Sequence, residues 1–337
     1  GENGVITRTP HPIRTTDDIK NLSLQRMHVN DMEMAKTKIQ EIGVNERDFM
    51  FKILVSDKLE KEGLDILTVE PGFTVDCKFG IPADELKKII KDYDALIVRS
   101  GTQVTADVIA AADKLKIIGR AGVGLDNVDL PAATRKGIVA MNTPAGNTTS
   151  TAEHTMSLIM ALSRNIPQAA ASLKNGKWER SKFTGIELYA KTLGVIGLGR
   201  IGTTVAKMAQ AFGMITIGYD PFLSAAIAAK NGIQLVELDE IYKTADTITV
   251  HIPKTEETTG MIGEKQIAIM KKTARLVNCA RGGIVDEKAL ARALTEKRIA
   301  GAALDVYNAE PPDFNSPLFK LDNCVATPHL GASTSEA

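Results

Sequence analysis

At 337 residues the chain is long enough for about two domains, and its 44% apolar content can fill sizeable cores. Lysine plus arginine equals aspartate plus glutamate at 41 each, which argues against nucleic acid or an anionic membrane surface as a partner. No run of about 18 apolar residues exists to span a bilayer. The sparse cysteines Cys77, Cys279 and Cys324 form no C-x-x-C pair and suit a reducing, cytoplasmic compartment better than a disulfide framework.

Residues 1–50 stand apart. The first 16 are polar, carry Pro10 and Pro12, and read as disordered or extended, with no apolar stretch of the secretory type. Asn30, Asp31, Met32 and Glu33 have the spacing of a capping box, and Met32, Ala35, Ile39 and Ile42 make one apolar stripe that Gly43 stops. A short helix is expected there.

From Phe51 the text alternates. Strands are predicted at 52–56, 73–77, 95–98, 116–119 and 138–142, with helices at 59–67, 82–91, 106–112 and 130–136 between them. The cluster 142–147, Asn-Thr-Pro-Ala-Gly-Asn, reads as a linker before a long helix at 151–164. A polar loop with Trp178 follows. Residues 192–196 then form a buried strand, and Gly197, Gly199 and Gly202 take G-x-G-x-x-G spacing. Ile201, Val205, Met208, Ala209 and Phe212 repeat at helical spacing, Gly213 is a plausible C′ residue, and a second strand at 215–219 ends on Asp220. Further strands are predicted at 247–252, 275–279, 300–306 and 324–327. This rhythm implies parallel sheets with helices on both faces.

The unit at 191–220 has the physical parts of a dinucleotide site. Gly197 permits the tight turn, Gly199 lets the backbone approach a pyrophosphate, and Gly202 lets helix and strand pack closely. Free N–H groups at the helix start favour phosphate. Asp220 is placed to accept hydrogen bonds from ribose hydroxyls and to repel a 2′-phosphate, so NAD is favoured over NADP. Strand before, helix after and acid at the next strand end distinguish this motif from a merely structural glycine turn.

In open α/β sheets, ligands lie beyond the carboxyl ends of the strands. The polar residues at those ends are Arg99, Arg120, Asp220, His251, Arg281, Asp305, Glu310 and His329. Hydride removal from an alcohol carbon needs a base, which a histidine tuned by a carboxylate supplies, and an arginine can hold a substrate carboxylate. Read alone, a loop histidine is more often structural than catalytic. His251, His154, His11 and His28 have less context than His329, and Cys279 reads as a small buried filler. The two glycines after Arg281 suggest backbone turned tightly beside a bound group.

The set GLGRIG, YDP, VNCARGGIVDE, GAALDVYNAEPP and PHLGAST resembles the D-isomer-specific 2-hydroxyacid dehydrogenases. LIVRSGTQVTADVI, IIGRAGVGLDNVDL, MNTPAGN and KNGKWERSKFTG resemble the branch of that family that acts on 3-phosphoglycerate. The resemblance covers about residues 51–337. It implies two doubly wound parallel-sheet α/β domains with a cleft between them: a flavodoxin-like substrate domain (51–143 and 329–337) and a Rossmann NAD domain (144–328).

The same resemblance implies His329 as acid/base, Glu310 as its carboxylate partner and Arg281 as binder of the substrate carboxylate. Gly197, Gly199, Arg200, Ile201, Gly202 and Asp220 would hold NAD, with Val123 and Ile252 near it. Cys279, Ala280, Asp305, Gly331 and Ala332 would lie along the nicotinamide. Arg99, Arg120 and Asn147 would line the substrate pocket, with Arg180 reaching a neighbouring copy's site in a homodimer or homotetramer. The implied reaction is NAD-dependent oxidation of 3-phosphoglycerate to 3-phosphohydroxypyruvate, the entry to serine synthesis. The alternatives are another small D-2-hydroxyacid (glycerate, glyoxylate, lactate) or an NAD-sensing scaffold of the corepressor type. Val123 and Ile252 depart from the family by replacing threonines. The chain ends at Ala337, where the family begins a helix that returns to the first domain.

Overall fold

The computed structural model describes residues 50–337, so the helix expected at 30–42 lies outside the described residues. These residues form two compact units. One comprises those up to Gly119 together with Asp129–Ala140; the other comprises Arg120–Val128 and Met141–Ala337.

The first unit is built on strands β1 (Phe51–Val55), β2 (Phe73–Cys77), β3 (Ala95–Val98), β4 (Ile117–Arg120) and β5 (Val139–Asn142), whose last residues cross into the second unit. They run in the order β2-β1-β3-β4-β5, the flavodoxin-like order with its switch point between β1 and β3. The connecting helices are α1 (Lys61–Thr68), α2 (Ala83–Ile89), α3 (Ala106–Ala110) and α4 (Leu130–Arg135). Central β1 and β3 bury Ile53, Leu54, Val55, Leu96 and Val98, whereas edge strand β5 leaves Val139 and Met141 half exposed. At the switch point the Asp57 carboxylate accepts the Arg99 N–H at 2.6 Å and the Thr102 N–H at 3.1 Å, fastening the ends of β1 and β3 together.

The second unit contains α5 (Thr148–Arg164), which starts three residues earlier than expected; Asn147 is its N-cap, and its carbonyl accepts the Thr151 N–H at 2.9 Å. Asn165 adopts φ 53° and redirects the chain into α6 (Ile166–Lys174), with proline in its first turn. The structure adds α6 to the predicted helices. Then come β6 (Thr192–Ile196), α7 (Arg200–Ala211), β7 (Ile215–Tyr219), α8 (Ala225–Lys230), β8 (Gln234–Leu235), α9 (Leu238–Thr244) and β9 (Thr247–Val250). They are followed by α10 (Glu264–Ala268), β10 (Arg275–Asn278), α11 (Glu287–Thr295), β11 (Gly301–Leu304) and β12 (Cys324–Ala326).

The seven-stranded sheet runs β12-β11-β10-β9-β6-β7-β8, and every pairing in it is parallel. Both faces are covered. Leu193, Val195, Val277, Ala303 and Val325 pack with Met156, Ile159 and Leu162 of α5 and Val205 and Ala209 of α7. Alternate strand residues, among them Ile196, Ile248, Val250, Leu276 and Leu304, pack with Ile241, Ile267, Leu290 and Leu294 of α9–α11. Burying both faces explains why these strands read as continuous apolar runs.

The tail at 329–337, expected with the first domain, belongs to the second unit. Its hydrogen bonds explain this: the Leu330 and Gly331 N–H groups donate to Asp305 at 2.8 Å each, and the Thr334 hydroxyl donates to the Ser150 hydroxyl oxygen at 3.2 Å.

Candidate active site

The order of the second sheet reverses between β6 and β9, and the glycine turn sits at the carboxyl end of β6. Gly197 has φ 92°, and a Cβ there would stand 2.5 Å from the carbonyl oxygen of His251. At Gly202 a Cβ would stand 2.0 Å from the carbonyl oxygen of Gly197, so the glycine lets α7 lie directly against the turn. Gly199 faces open space, with nothing within 4 Å of where a Cβ would be. No side chain caps the N-terminus of α7, and its first turn holds no acid. Asp220 accepts the Leu198 N–H at 2.8 Å and the Phe222 N–H at 2.9 Å, so its carboxylate is anchored over the turn. Ile252 packs against Gly197. An open approach, an uncapped helix dipole and a fixed carboxylate are what a dinucleotide needs, so these residues fit the cofactor. Arg200 is exposed and Ile201 half-buried at the start of α7.

His329 lies three residues past β12 in the left-handed region, φ 55°, a costly conformation for a residue with a Cβ. Its Nδ1 is 2.6 Å from Glu310 Oε2. An ionised carboxylate only accepts, so Nδ1 carries the proton and Nε2 keeps the lone pair. Tyr307 braces both partners: its backbone N–H donates to Glu310 Oε1 at 3.2 Å and its hydroxyl donates to the Thr327 carbonyl at 2.8 Å. Burial holds the Tyr307 phenol well above its ordinary pKa, so it stays a donor. Half of the His329 side chain is exposed. A surface pocket of about 400 Å³, walled by Tyr307, Pro311, Phe314 and Phe319, reaches both His329 and Glu310.

Arg281 follows β10. Asn278 fixes the turn, accepting the Ala280 N–H at 3.0 Å and donating to the Arg281 carbonyl at 2.9 Å, a role that its place at a strand end does not signal. The first glycine after Arg281 has a packing reason: a Cβ at Gly282 would overlap the Tyr307 carbonyl oxygen at 1.7 Å. The guanidinium donates to Asp126 at 2.9 Å and to the Ala280 carbonyl at 2.7 Å. Gly124 lies so close to it that a Cβ there would stand 1.9 Å from Nη2.

The Arg120 side chain folds over Gly122 and bonds Asn127 at 3.3 Å. The Val123 carbonyl accepts from Asn142 at 2.6 Å. At the start of α5, the buried Oδ1 of Asn147 and the hydroxyls of Thr148 and Thr151 have no hydrogen-bond partner among the described residues. Arg180 is exposed. Arg99 belongs to the first unit, where its Nη1 donates to the Lys58 carbonyl at 3.4 Å.

Two residues expected along the nicotinamide are enclosed. Asp305 is fully buried; it accepts the Thr327 hydroxyl at 2.6 Å and the N–H groups of Leu330 and Gly331 at 2.8 Å, and His154 Nε2 lies 3.1 Å away. Three of these donors, Thr327, Leu330 and His154, share Oδ1, and the Gly331 N–H serves Oδ2, so the orientation of the carboxylate is set by the protein around it. Burial works to raise its pKa, but the bonds from His154, Thr327 and Leu330 outweigh it and hold the group below the usual carboxylate value. Cys279 is buried, and burial pushes its thiol up to about 12, so it is inert filler. Ala280 is half-buried, Gly331 buried and Ala332 exposed. His251 keeps some surface exposure, yet burial pushes it down to about 3; its Nε2 lies 2.9 Å from the Thr249 hydroxyl.

Residues 156–331, more than half of the chain, match the family model of the D-isomer specific 2-hydroxyacid dehydrogenase NAD binding domain. The chain is 56% identical over 289 residues to the D-3-phosphoglycerate dehydrogenase of Methanocaldococcus jannaschii, covering 86% of this chain and 55% of the relative. It is 54% identical over 286 residues to the human protein of that name, covering 85% and 53%. The chain therefore spans about half the length of the curated relatives it matches. Among solved structures, D-lactate dehydrogenase from Aquifex aeolicus, complexed with NAD and lactic acid, superposes with TM-score 0.74 at 31% identity over 85% of this chain and 90% of that one. A glyoxylate reductase from Paecilomyes thermophila superposes with TM-score 0.77 at 30% identity over 85% and 90%.

Proposed function

The chain belongs to the D-isomer-specific 2-hydroxyacid dehydrogenase family, and from that premise we propose that it oxidises 3-phosphoglycerate at C2 to 3-phosphohydroxypyruvate with NAD, the entry to serine synthesis. The observation that carries the chemistry is the His329–Glu310 pair at 2.6 Å. Bound NAD supplies the hydride acceptor; Gly197, Gly199, Arg200, Ile201 and Gly202 would hold its pyrophosphate end and Asp220 its ribose hydroxyls. His329 Nε2 takes the C2 hydroxyl proton, and Glu310 stabilises the imidazolium that forms. Arg281 binds the substrate carboxylate, which replaces Asp126 as its partner.

Identity above half with relatives named for 3-phosphoglycerate, against about 30% with the lactate and glyoxylate enzymes, supports the phosphorylated substrate. Arg120 and Asn147 are the pocket residues of the second unit assigned to it. Turnover on 3-phosphoglycerate, glycerate, lactate and glycolate tests the reading. Highest kcat/KM is expected for 3-phosphoglycerate with NAD, and preference for an unphosphorylated acid overturns it. Equal use of NADP by the wild type would refute the role of Asp220.

The exposed apolar side chains of Ile166, Leu173 and Trp178, on α6 and the loop after it, support a homodimer or homotetramer. Light scattering on the wild type and on Leu173→Asp tests this, with a monomeric wild type the contrary result. Among the described residues no helix is long and apolar enough to cross a membrane. A cytoplasmic setting fits the free thiols of Cys77, Cys279 and Cys324.

A further inference from the structure

A buried polar cluster lies under the His329 loop, apart from the groups that meet substrate. His154, on α5, directs Nε2 at Asp305 Oδ1, 3.1 Å away, and at Thr327 Oγ1, 3.3 Å away. The Thr327 hydroxyl gives its proton to Asp305 at 2.6 Å, so its oxygen remains an acceptor. Both groups that face His154 Nε2 therefore accept, which fixes the proton on Nε2. Asp305 in turn holds the backbone N–H groups of Leu330 and Gly331. Residues 327, 330 and 331 bracket His329, and all three are tied to one carboxylate that His154 completes.

His329 needs such bracketing. Its backbone is left-handed, and its own N–H bonds the Thr327 carbonyl at 3.1 Å, so a small rotation of the loop would swing the imidazole off Glu310. Asp305 is fully buried, and a buried carboxylate that loses a donor rearranges to find another. The donors within reach are the loop amides themselves.

We propose that His154 is a positioning residue for the reaction. As the fourth donor to Asp305, it keeps that carboxylate oriented so that the 327–331 loop presents His329 Nδ1 to Glu310 and Nε2 to the substrate. His154 touches no reacting atom. The kinetic part of this inference rests on the function proposed above; the structural part does not.

Two variants separate the donor from the bulk. His154→Phe keeps a ring and removes the N–H, whereas His154→Gln restores a donor near the position of Nε2. In His154→Phe, kcat on 3-phosphoglycerate should fall about tenfold to a hundredfold, the usual cost of a small misplacement of a reacting group, while KM changes far less. His154→Gln should recover to within a few-fold of wild type. The second readout needs no substrate. With histidine-selective labelling, the His329 Nδ1 proton, hydrogen-bonded to Glu310, should give a downfield resonance that is retained in His154→Gln and lost or broadened in His154→Phe.

Wild-type kcat and an unchanged resonance in His154→Phe overturn the proposal. So does a Gln variant as impaired as Phe, because shape rather than the donor would then matter. If His154→Phe does not fold, Thr327→Val carries the test: the same losses are expected, and their absence overturns it. If wild type turns over none of the acids, the proposed function fails, and the resonance comparison still decides the role of His154.

Discussion

Two histidines follow strands of the same parallel sheet, and their surroundings give them opposite chemistry. His251 comes directly after β9, beside the glycine turn; it is partly buried, its partner is the neutral Thr249 hydroxyl, and burial pushes its pKa down to about 3. His329 comes after β12; half its side chain is exposed and its partner is a carboxylate at 2.6 Å. Strand-end position is thus insufficient to make a base. In the proposed reaction, a ring at a strand end becomes one when a second loop brings an anion to one nitrogen and leaves the other open. Here that loop is the Glu310-Pro311-Pro312 segment, held by Tyr307.

The largest expected break of this contrast is His329→Ala. It should cut kcat by about 10² to 10⁴, the range for a lost general base, with NAD affinity nearly intact. Wild-type turnover across neutral pH would move the base elsewhere. Titration calorimetry with NAD separates lost chemistry from lost binding.

Glu310→Gln sharpens the comparison by turning the partner of His329 into a neutral one, as Thr249 is for His251. It should cost less kcat than His329→Ala, because the amide keeps the shape and one hydrogen bond. It should also lower the apparent pKa on the pH–rate profile for oxidation, since the imidazolium loses its counter-charge. An unmoved profile would show that the carboxylate only orients the ring.

A smaller effect is expected at Asp126. It pairs with Arg281 at 2.9 Å while about half exposed, so the pair contributes roughly 0.2–1 kcal/mol. If the substrate carboxylate takes over Arg281, Asp126→Asn should lower KM by up to about fivefold and leave kcat alone. A raised KM in initial-rate measurements would mean that Asp126 aligns Arg281 instead of competing for it.

The smallest effect on catalysis is expected for His251→Gln, whose signature lies in acid stability. The folded state holds His251 neutral down to about pH 3, whereas an unfolded histidine takes up a proton near its ordinary value of 6.5. Between those values the unfolded state binds more protons, so stability falls as pH drops through that window. Removing the group should move the acid-unfolding midpoint, followed by circular dichroism, to lower pH. An unchanged midpoint would show that His251 is already protonated in the fold.

What the sequence determined by itself is local. Thr192–Ile196, Gly197, Gly199, Gly202, α7 and Asp220 form one continuous stretch whose periodicity, turn chemistry and terminal acid agree, so that unit was legible residue by residue. The alternating elements likewise carried the parallel-sheet class, because strands buried on both faces and amphipathic helices leave distinct patterns. Tertiary structure decided the rest. The 2.6 Å contact of His329 with Glu310 joins two loops, and the Tyr307 hydroxyl serves as a brace only because the Thr327 carbonyl arrives from the far side of β12. Asp305 has the same sequence context whether it faces a ligand or the fold. Only the return of residues 327–331 and the α5 face bearing His154 bring four donors to it and bury it. Hydrogen-bond saturation depends on which segments meet in space, and no spacing along the chain encodes it.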